Sequence, residues 1–569
     1  MIRMRGILGA VAIGALLVIA LAPGTQVSAG PNPLLDPANG HPFLGNGKPL
    51  PHPSTGAEVT FDDERALMSD SQASSDAPPD VAVSALGCAN RGSVTNPRVN
   101  QDCTLRRQAE EQVAVNPTDP TNVIAGQNDS RVGFNHCGFA YSLDGGTSWG
   151  DGQPPFFQHI SLAGHTYDAA SDPAVTFDGT GRAWYSCVVF DINTNASGLF
   201  VTRSSAGLKG SAYANVGNPS AFVVAEAVAG DHFFDKEFIA GDMRPGHTEV
   251  YVTFTDFQSN PNCKKSFNKG GFCQSPIMLS KWATNHWTAP IAISGNSSLC
   301  VGGGTFNPQL PSNGCNFNQG SYPVVLANGD VYVVFSNFNT PTLVNQQLGV
   351  RVKADLSSVS APVRVGFDDE TKAALCDFGR GPEQCVDSLN IRSNDFPALA
   401  VDPTNGQHLV ATWTDTRSAA SNGNYDIVVS ESTDGGLTWS DGSGGGTVLT
   451  TTGAYFQPSV AITHTLGKVV VSAYRANTAL HTSAIADGKF GYGFFVNSGS
   501  GFGAYTNASD SQTLPSPQAN PAQRGFLGDY SSIASSPGSD TVYMVWSDTR
   551  NSNASGPDED IFIKKVVSP

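Results

Sequence analysis

Three short segments of this 569-residue chain combine an acid with a neighbouring group that can change its reactivity. Asp235 is followed by Lys236, which puts opposite charges side by side. Asp529 is followed by Tyr530, and a tyrosine beside an acid can serve as a nucleophile. Asp395 is the third acid of interest. Glycoside hydrolysis needs two such groups facing each other across a pocket. The candidate catalytic residues are Asp235, Asp395, Asp529 and Tyr530.

Several basic side chains lie near the ends of predicted strands, and they are suited to hold an acidic ligand. Arginine clamps a carboxylate through two parallel hydrogen bonds, and lysine supplies a point charge. The candidate substrate-binding residues are Arg131, Lys236, Arg417, Arg475 and Arg550. A structural role is the alternative, because the element Trp-x-Asp-x-Arg recurs and Asp415 can pair with Arg417, as Asp548 can with Arg550.

A repeated strand pattern predicts how these residues come together. From Glu111 onward, a short apolar strand, a turn and a stronger β-branched or aromatic strand recur seven times. The first strands are predicted to begin at Glu111, Pro173, Glu237, Pro323, Pro397, Pro458 and Ser531. Units that bury their faces only against neighbouring units form a β-propeller.

The fold class is therefore all-β, a propeller with seven blades preferred and six as the alternative if one repeat is misread. The last repeat ends after three strands, so residues 81–86 or 93–99 are expected to close the ring as its missing strand. Strands one and two of a blade are antiparallel. Residues before strand one and after strand two then meet at one mouth of the channel, which places the candidate residues there.

Two octapeptides have a turn chemistry of their own. Ser142–Trp149 and Ser432–Trp439 both place an acid, two glycines and a tryptophan at fixed spacing. The acid can accept hydrogen bonds from the amides that follow it, and the glycines permit positive φ. The residues that define the two turns are Ser142, Asp144, Gly146, Trp149, Ser432, Asp434, Gly436 and Trp439.

These octapeptides resemble the Asp box of the sialidases and related bacterial-neuraminidase-repeat propellers. The resemblance implies a propeller in which the box joins strands three and four, at the end opposite the predicted mouth, with a structural role. Sialidases of that family bind their substrate with an arginine triad whose first member lies in a Phe/Tyr-Arg-Ile-Pro motif. That motif is absent here, and Arg106 and Arg107 lie in Thr-Leu-Arg-Arg-Gln, so no catalytic residue is carried over.

The resemblance and the mouth together lead to two functional hypotheses. The first is a glycan-active hydrolase that acts on extracellular carbohydrate at the channel mouth, with strict sialidase activity in doubt because of the missing motif. The second is a non-catalytic propeller that binds a glycan or a protein at the same place. A carboxylate pair in an open pocket would favour the first, and acids locked in ion pairs would favour the second.

The N-terminal region predicts export. Residues 1–29 have two early arginines, an apolar run and a small-residue cleavage site, as a signal peptide does. Residues 30–80 are rich in Pro, Gly, Ser and Asp and are interpreted as a disordered leader, with a removable pro-segment as the alternative. Residues 81–569 form the propeller domain. We find no second long apolar run, so we expect no membrane insertion and a secreted protein.

Ten cysteines fit an oxidising compartment. Four pairs of sequence neighbours are expected to form local disulfides, and Cys137 would then join Cys187 across two repeats. The local pairs are Cys88 with Cys103, Cys263 with Cys273, Cys300 with Cys315, and Cys376 with Cys385.

The acidic composition restricts the partners. The formal net charge is −17 and the pI is near 4.9, which argues against nucleic acid because a nucleic-acid binder needs a basic surface. We expect a glycan or glycoconjugate as partner and a monomeric chain. No cofactor or metal site is predicted, although calcium is possible at acid runs such as residues 368–370.

Overall fold

The computed structural model describes residues 93–569 except 105, 132–134, 155–163, 193, 214–221, 260–262, 264–271, 378–381, 387–388, 419–424, 451–453, 477–488, 512–525 and 552–558. The predicted signal peptide, the leader, the closing-strand candidate 81–86 and Cys88 lie outside the described residues. Among the described residues, no helix is long and apolar enough to cross a membrane.

The described chain is all-β and is built from consecutive antiparallel sheets. The first sheet has β1 (Gln108–Val115), β2 (Val123–Asp129), β3 (His136–Ser142) and β4 (Gly150–Gly152), and the second has β5 (Ala169–Phe177), β6 (Ala183–Phe190), β7 (Ser197–Arg203) and β8 (Val223–Ala227). The third has β9 (His232–Gly241), β10 (Val250–Gln258), β11 (Ile277–Ala283), β12 (His286–Trp287) and β13 (Ile291–Ala292), and the fourth has β14 (Asn318–Val325), β15 (Val331–Asn337), β16 (Asn345–Val352) and β17 (Val363–Asp368).

A small sheet of β18 (Ala374–Asp377), β19 (Pro382–Val386) and β20 (Ile391–Arg392) separates the fourth sheet from the fifth. The fifth has β21 (Ala398–Val401), β22 (Leu409–Asp415), β23 (Asp426–Ser432) and β24 (Thr447–Val448). The sixth has β25 (Ala454–Ile462), β26 (Val469–Ala476), β27 (Phe490–Asn497) and β28 (Thr506–Asn507), and the seventh has β29 (Ser532–Ser535), β30 (Thr541–Asp548) and β31 (Asp560–Val567).

The apolar core lies between successive sheets. Second strands such as β6 are buried along their whole length, because both faces pack against neighbouring sheets. The first strands contact one another in chain order, β1 with β5, β5 with β9, and so on to β25 with β29, and β29 contacts β1. Val113 and Val123 of the first sheet share one buried cluster with Tyr543 and Val545 of the seventh.

Five of the seven first strands begin earlier than the sequence pattern indicated, whereas β21 and β29 begin one residue later. Five of them contain a β-bulge, where two residues oppose one on the neighbouring strand. The first residue of each bulge has a left-handed backbone. These residues are Glu110 (φ 56°), Asp172 (φ 55°), Lys236 (φ 54°), Gly320 (φ 69°) and Gln457 (φ 50°). In these five strands, polar groups predicted to precede strand one lie inside it and are fixed by the sheet, whereas Asp395 and Asp529 precede their strands as predicted.

The segment before β1 pairs with the outer strand of the seventh sheet. The Val99 amide donates to the Ile561 carbonyl at 2.8 Å, and the Ile563 amide donates to the Pro97 carbonyl at 3.2 Å. Arg98 and Phe562 form the antiparallel bridge between these bonds. Part of the closing-strand candidate 93–99 thus occupies the free side of β31.

Four predicted disulfides are confirmed: Cys263–Cys273, Cys300–Cys315, Cys376–Cys385 and Cys137–Cys187. The last of these links β3 to β6 and so joins the first and second sheets. Four disulfides are consistent with an oxidising compartment.

The two octapeptides form matching turns between the third and fourth strands of their sheets. In the second, the Ser432 hydroxyl accepts the Gly436 amide at 2.9 Å and donates to Asp434 Oδ1 at 2.8 Å, and the Thr438 amide donates to Asp434 Oδ1 at 2.9 Å. The first turn repeats this pattern, with Gly146 donating to Ser142 at 2.8 Å.

Each turn also packs against a tyrosine of the preceding sheet. Tyr332 of β15 donates to the Gly436 carbonyl at 2.8 Å and accepts the Trp439 indole N–H at 3.0 Å. In the first turn, a Cβ at Gly146 would lie 3.3 Å from the ring of Tyr543. The turns therefore bind neighbouring sheets together.

We expect Gly436→Ala to lower the free energy of unfolding by about 3 kcal/mol or more, because an added Cβ strains the left-handed backbone and overlaps the Tyr332 ring. Gly436 has a φ of 88°, and its added Cβ would lie 2.1 Å from Tyr332 Cε2. Gly444→Ala is the matched control, since its φ is 89° with nothing within 4 Å. It should lose only about 1 kcal/mol. Denaturant unfolding measures both, and equal losses would contradict the inter-sheet contact.

Candidate functional site

Lys236 lies at the centre of a buried cluster to which several sheets contribute. Its Nζ is 3.5 Å from Asp172 Oδ1 and 4.0 Å from Asp529 Oδ2. All three side chains are at most 1% exposed. They come from the second, third and seventh sheets, so the tertiary fold alone places them together.

Two aromatic rings flank the same ammonium. The Lys236 Nζ lies 3.6 Å from the centroid of the Tyr530 ring and 5.0 Å from that of Phe396. A cation over an aromatic face is stabilised by the ring quadrupole, and more strongly where water is excluded. The Tyr530 hydroxyl donates to the Pro173 carbonyl at 3.2 Å, and burial raises the pKa of Tyr530 well above its usual value.

Glu110 supplies a fully buried carboxyl group. Burial raises its pKa well above the usual value, Asp172 raises it further, and Lys236 opposes them. Asn128 Nδ2 donates to Glu110 Oε2 at 2.5 Å, while the Asp172 amide donates to Asn128 Oδ1 at 3.1 Å. An acid whose pKa is raised beside a second carboxyl group is an arrangement used in general acid catalysis.

The small inserted sheet adds a second cation. Arg392 of β20 forms an ion pair with Asp529 through Nη1, and its Nε lies 3.1 Å from Glu383 Oε2. Asn394 Nδ2 donates to the Asp529 carbonyl at 2.8 Å. Asp529 is therefore held from two sides, by Lys236 and by the segment that follows β20.

The backbone of the β-bulge does not require a charged side chain at this position. Glu110, Asp172 and Lys236 occupy the left-handed position of their bulges, and the same position holds Gly320 in β14 and Gln457 in β25. The bulge accepts glycine and a neutral amide, yet three sheets place charged or titratable groups there. Burying such groups is costly, so the cluster is the candidate functional site.

The other two predicted acids have different surroundings. Asp235 is buried and accepts a hydrogen bond from Gln319 Nε2 at 2.9 Å. The Asp395 carboxylate lies with Asp368 and Glu370, their oxygens within 4.8 Å of one another. Burial and the neighbouring carboxylates raise the pKa of Asp368 and of Glu370 well above the usual values.

Three of the predicted substrate-binding arginines are each held by two carboxylates. The pairs are Arg131 with Asp129 (2.6 Å) and Asp151 (2.5 Å), Arg417 with Asp415 (2.9 Å) and Asp441 (2.8 Å), and Arg550 with Asp548 (2.6 Å) and Asp510 (2.6 Å). For Arg417 and Arg550 these contacts match the structural alternative for the Trp-x-Asp-x-Arg elements, and Arg131 is held in the same way.

Arg475 differs from those three arginines. Its side chain is exposed, and its guanidinium lies 5.7 Å from the Tyr455 ring centroid and 5.6 Å from that of Tyr505. No carboxylate of the described residues lies within ion-pair distance of it, so it presents a fixed cation to solvent.

The sequence patterns did not single out Glu110 or Arg392 as site residues, and they gave Asp172 no role of its own. The predicted strand began at Glu111, so Glu110 fell outside it, whereas Glu110 occupies the bulge inside β1. The four polar residues among the first five of β1 were the available signal. The sequence marks Arg392 only as a neighbour of Asp395, because the inserted sheet has no counterpart in the other repeats.

No protein-family model and no curated protein matches the chain. Solved structures do resemble it. A protein of unknown function from Dyadobacter fermentans is 12% identical, with a TM-score of 0.38 over 68% of this chain and 95% of that one. A mutant NanB sialidase from Streptococcus pneumoniae is 10% identical, with a TM-score of 0.38 over 84% and 71%. The alpha-L-arabinofuranosidase Arb93A from Fusarium graminearum is 10% identical, with a TM-score of 0.37 over 69% and 91%. No residue role is transferred from them.

We expect Lys236→Gln to lower the free energy of unfolding by about 3–5 kcal/mol, because it leaves two buried carboxylates without their shared cation. The glutamine itself fits, since Gln457 has the same backbone at the equivalent bulge. Adding Asp529→Asn should restore part of the loss in a double-mutant cycle. Lys353→Gln, which removes a half-exposed pair with Asp330, is the control and should change stability by less than about 1 kcal/mol. A change equally small for Lys236→Gln would contradict the role of the cluster.

Glu111 should make the fold less stable as the pH rises. Burial raises its pKa to about 8, so the folded state keeps a proton that the unfolded state loses above about pH 4.5. Its share of stability is intact below pH 4.5 and declines until the pH passes about 8. Glu111→Gln should remove about 4 kcal/mol of the stability difference between pH 5 and pH 8. Urea unfolding at both values tests this, and an unchanged pH profile would contradict it.

Proposed function

We propose that this protein is an exported, Asp-box β-propeller that hydrolyses an extracellular glycan at the centre of its channel. The single observation that carries the proposal is the cluster of Glu110, Asp172, Lys236 and Asp529. Separate sheets contribute these residues from bulge positions or from the segment before a first strand, and the same bulge position is neutral in other sheets.

The architecture that we propose has seven blades, with residues 97–99 as the closing strand. Seven sheets, besides the small sheet of β18, β19 and β20, and the contact of β29 with β1 support the blade number. The hydrogen bonds from residues 97–99 to β31 support the closure. The matching turns at Ser142–Trp149 and Ser432–Trp439 support the Asp-box assignment.

The chemistry assigned to the cluster divides between a proton donor and a carboxylate. Glu110 is the general acid, since burial raises its pKa and so favours the protonated form. Asp529, with Tyr530 beside it, is the base or nucleophile. Lys236 and Arg392 hold the Asp529 carboxylate in place. Asp235 and Asp395 then act as positioning residues, and Arg475 is the cation available to an acidic sugar.

Binding without hydrolysis is the second candidate function. Asp529 is paired with both Lys236 and Arg392, and its side chain is excluded from water. Phe396 is partly buried, while Tyr530, 8% exposed, and Asn394, 7% exposed, are almost closed off from solvent. A site closed in this way favours recognition at the rim over reaction at the centre.

Activity on a panel of fluorogenic glycosides, including a sialoside, separates the two functions. We expect turnover of at least one member by the mature protein, and a loss of about 10²–10⁴-fold in kcat for Glu110→Gln and for Asp529→Asn, because each removes one partner of the acid–base pair. Asp355→Asn, at an exposed surface acid, is the control and should leave turnover unchanged.

No turnover on any glycoside, together with glycan-array binding that survives both site variants, would refute hydrolysis and support the binding function. Binding that is lost in Arg475→Gln would then locate recognition at the exposed arginine.

A further inference from the structure

Three carboxylates from two separate segments converge beside the inserted sheet. Asp368 ends β17, Glu370 follows two residues later, and Asp395 precedes β21. One oxygen from each lies within 4.8 Å of the others. An ion bonded to oxygen at about 2.3–2.6 Å can bridge groups at that separation.

These carboxylates carry buried oxygens whose bonding capacity is unused. Asp368 Oδ1, Glu370 Oε1 and Asp395 Oδ2 accept no hydrogen bond from the described residues. Asp368 is fully buried and Asp395 is 5% exposed. Buried acceptors are normally satisfied, so three such oxygens in one cluster are open to a cation.

Asn345 adds a fourth oxygen on the same side of the sheet. It lies directly opposite Asp368 in the pairing of β16 with β17, and residues in that relation project from the same face. Its Oδ1 is buried and accepts no hydrogen bond from the described residues. An amide oxygen is a common calcium ligand.

The protein fixes the cluster from outside. Gln347 Nε2 donates to Asp368 Oδ2 at 3.1 Å and to the Asp395 carbonyl at 3.0 Å. The Thr416 amide donates to the Asp369 carbonyl at 2.8 Å, and the Asp369 amide donates to Asp415 Oδ2 at 3.0 Å. The backbone of the 368–370 loop is therefore set before any ligand arrives, as metal sites require.

We propose that Asp368, Glu370 and Asp395, with the Asn345 amide oxygen, form a structural Ca²⁺ site. The ligands are all oxygens, which selects a hard cation and disfavours zinc or copper. The three carboxylates exceed the charge of one divalent ion, as in other calcium sites.

One short segment connects the proposed site to the buried cluster around Lys236. Asp395 lies between Asn394, which donates to the Asp529 carbonyl, and Phe396, whose ring faces Lys236. Arg392, in the same segment, pairs with Asp529. A bound Ca²⁺ holds this segment and thereby positions Asp529. This consequence rests on the proposed function, whereas the site itself does not.

Thermal unfolding of the chelator-treated, full mature protein tests the proposal. We expect Ca²⁺ to raise Tm by several degrees and calorimetric titration to show one saturable site. Asp368→Asn and Asp395→Asn should each abolish or greatly weaken the response. Asp368→Asn should also be at least as stable as the wild type without calcium, because it relieves carboxylate repulsion. That second result keeps the test decisive even if one variant folds poorly.

Glu249→Gln is the matched control, because Asp242, His247 and Glu249 form another acidic cluster elsewhere in the fold. It should retain the full calcium response.

The proposal is overturned if the wild type shows neither a Tm shift nor binding heat, or if both Asp variants keep the response. An equal shift with Mg²⁺ at the same concentration overturns the calcium assignment. A Tm that ignores calcium but rises as the pH falls shows that protons satisfy the cluster instead. Each readout is independent of glycosidase activity, so its failure is distinguishable from failure of the proposed function.

Discussion

The ammonium of Lys236, enclosed by two carboxylates and two aromatic rings, is the interaction on which the centre of this molecule depends. Removing one lysine and two aspartates from water costs several kcal/mol for each ion. That cost is offset only when the opposite charges and the hydrogen bonds are held in fixed positions. The β-bulges of the first strands provide this, because each turns a side chain out of the regular alternation of its strand.

The bulges also connect the fold to the chemistry. A regular strand would point alternate residues toward neighbouring sheets, where Val, Ala and Phe form the core. Insertion of one extra residue with a left-handed backbone lets Glu110, Asp172 and Lys236 leave that core while their strands remain fully paired on either side. The stability of the sheets thus supports a set of charges that would be unfavourable on its own.

The remainder of the charged residues show how much of an acidic protein's electrostatics can be structural. Arg131, Arg417 and Arg550 each hold the end of a second strand to a nearby loop or edge strand through two carboxylates. The Ser-x-Asp turns perform a similar task at the third and fourth strands, where Tyr332 and Trp439 join adjacent sheets. The cluster around Lys236 and the carboxylates around Asp395 do not belong to these recurring contacts.

The sequence by itself determined the strand-rich class, the repeated unit, the two Asp-turns and the pairing of four disulfides. Most of these rest on short-range patterns: alternation, turn residues and the short distance along the chain between cysteines. The Cys137–Cys187 pair followed by elimination once the local pairs were assigned. It also brought Lys236, Asp529 and Tyr530 forward as candidates, because opposite charges or an acid and a phenol are adjacent there. The tertiary structure alone decided which of the candidates meet. Glu110, Asp172 and Arg392 join them across hundreds of residues, and Asp395 joins Asp368 and Glu370, because convergence depends on the arrangement of the sheets and on where each bulge falls, which no local pattern encodes.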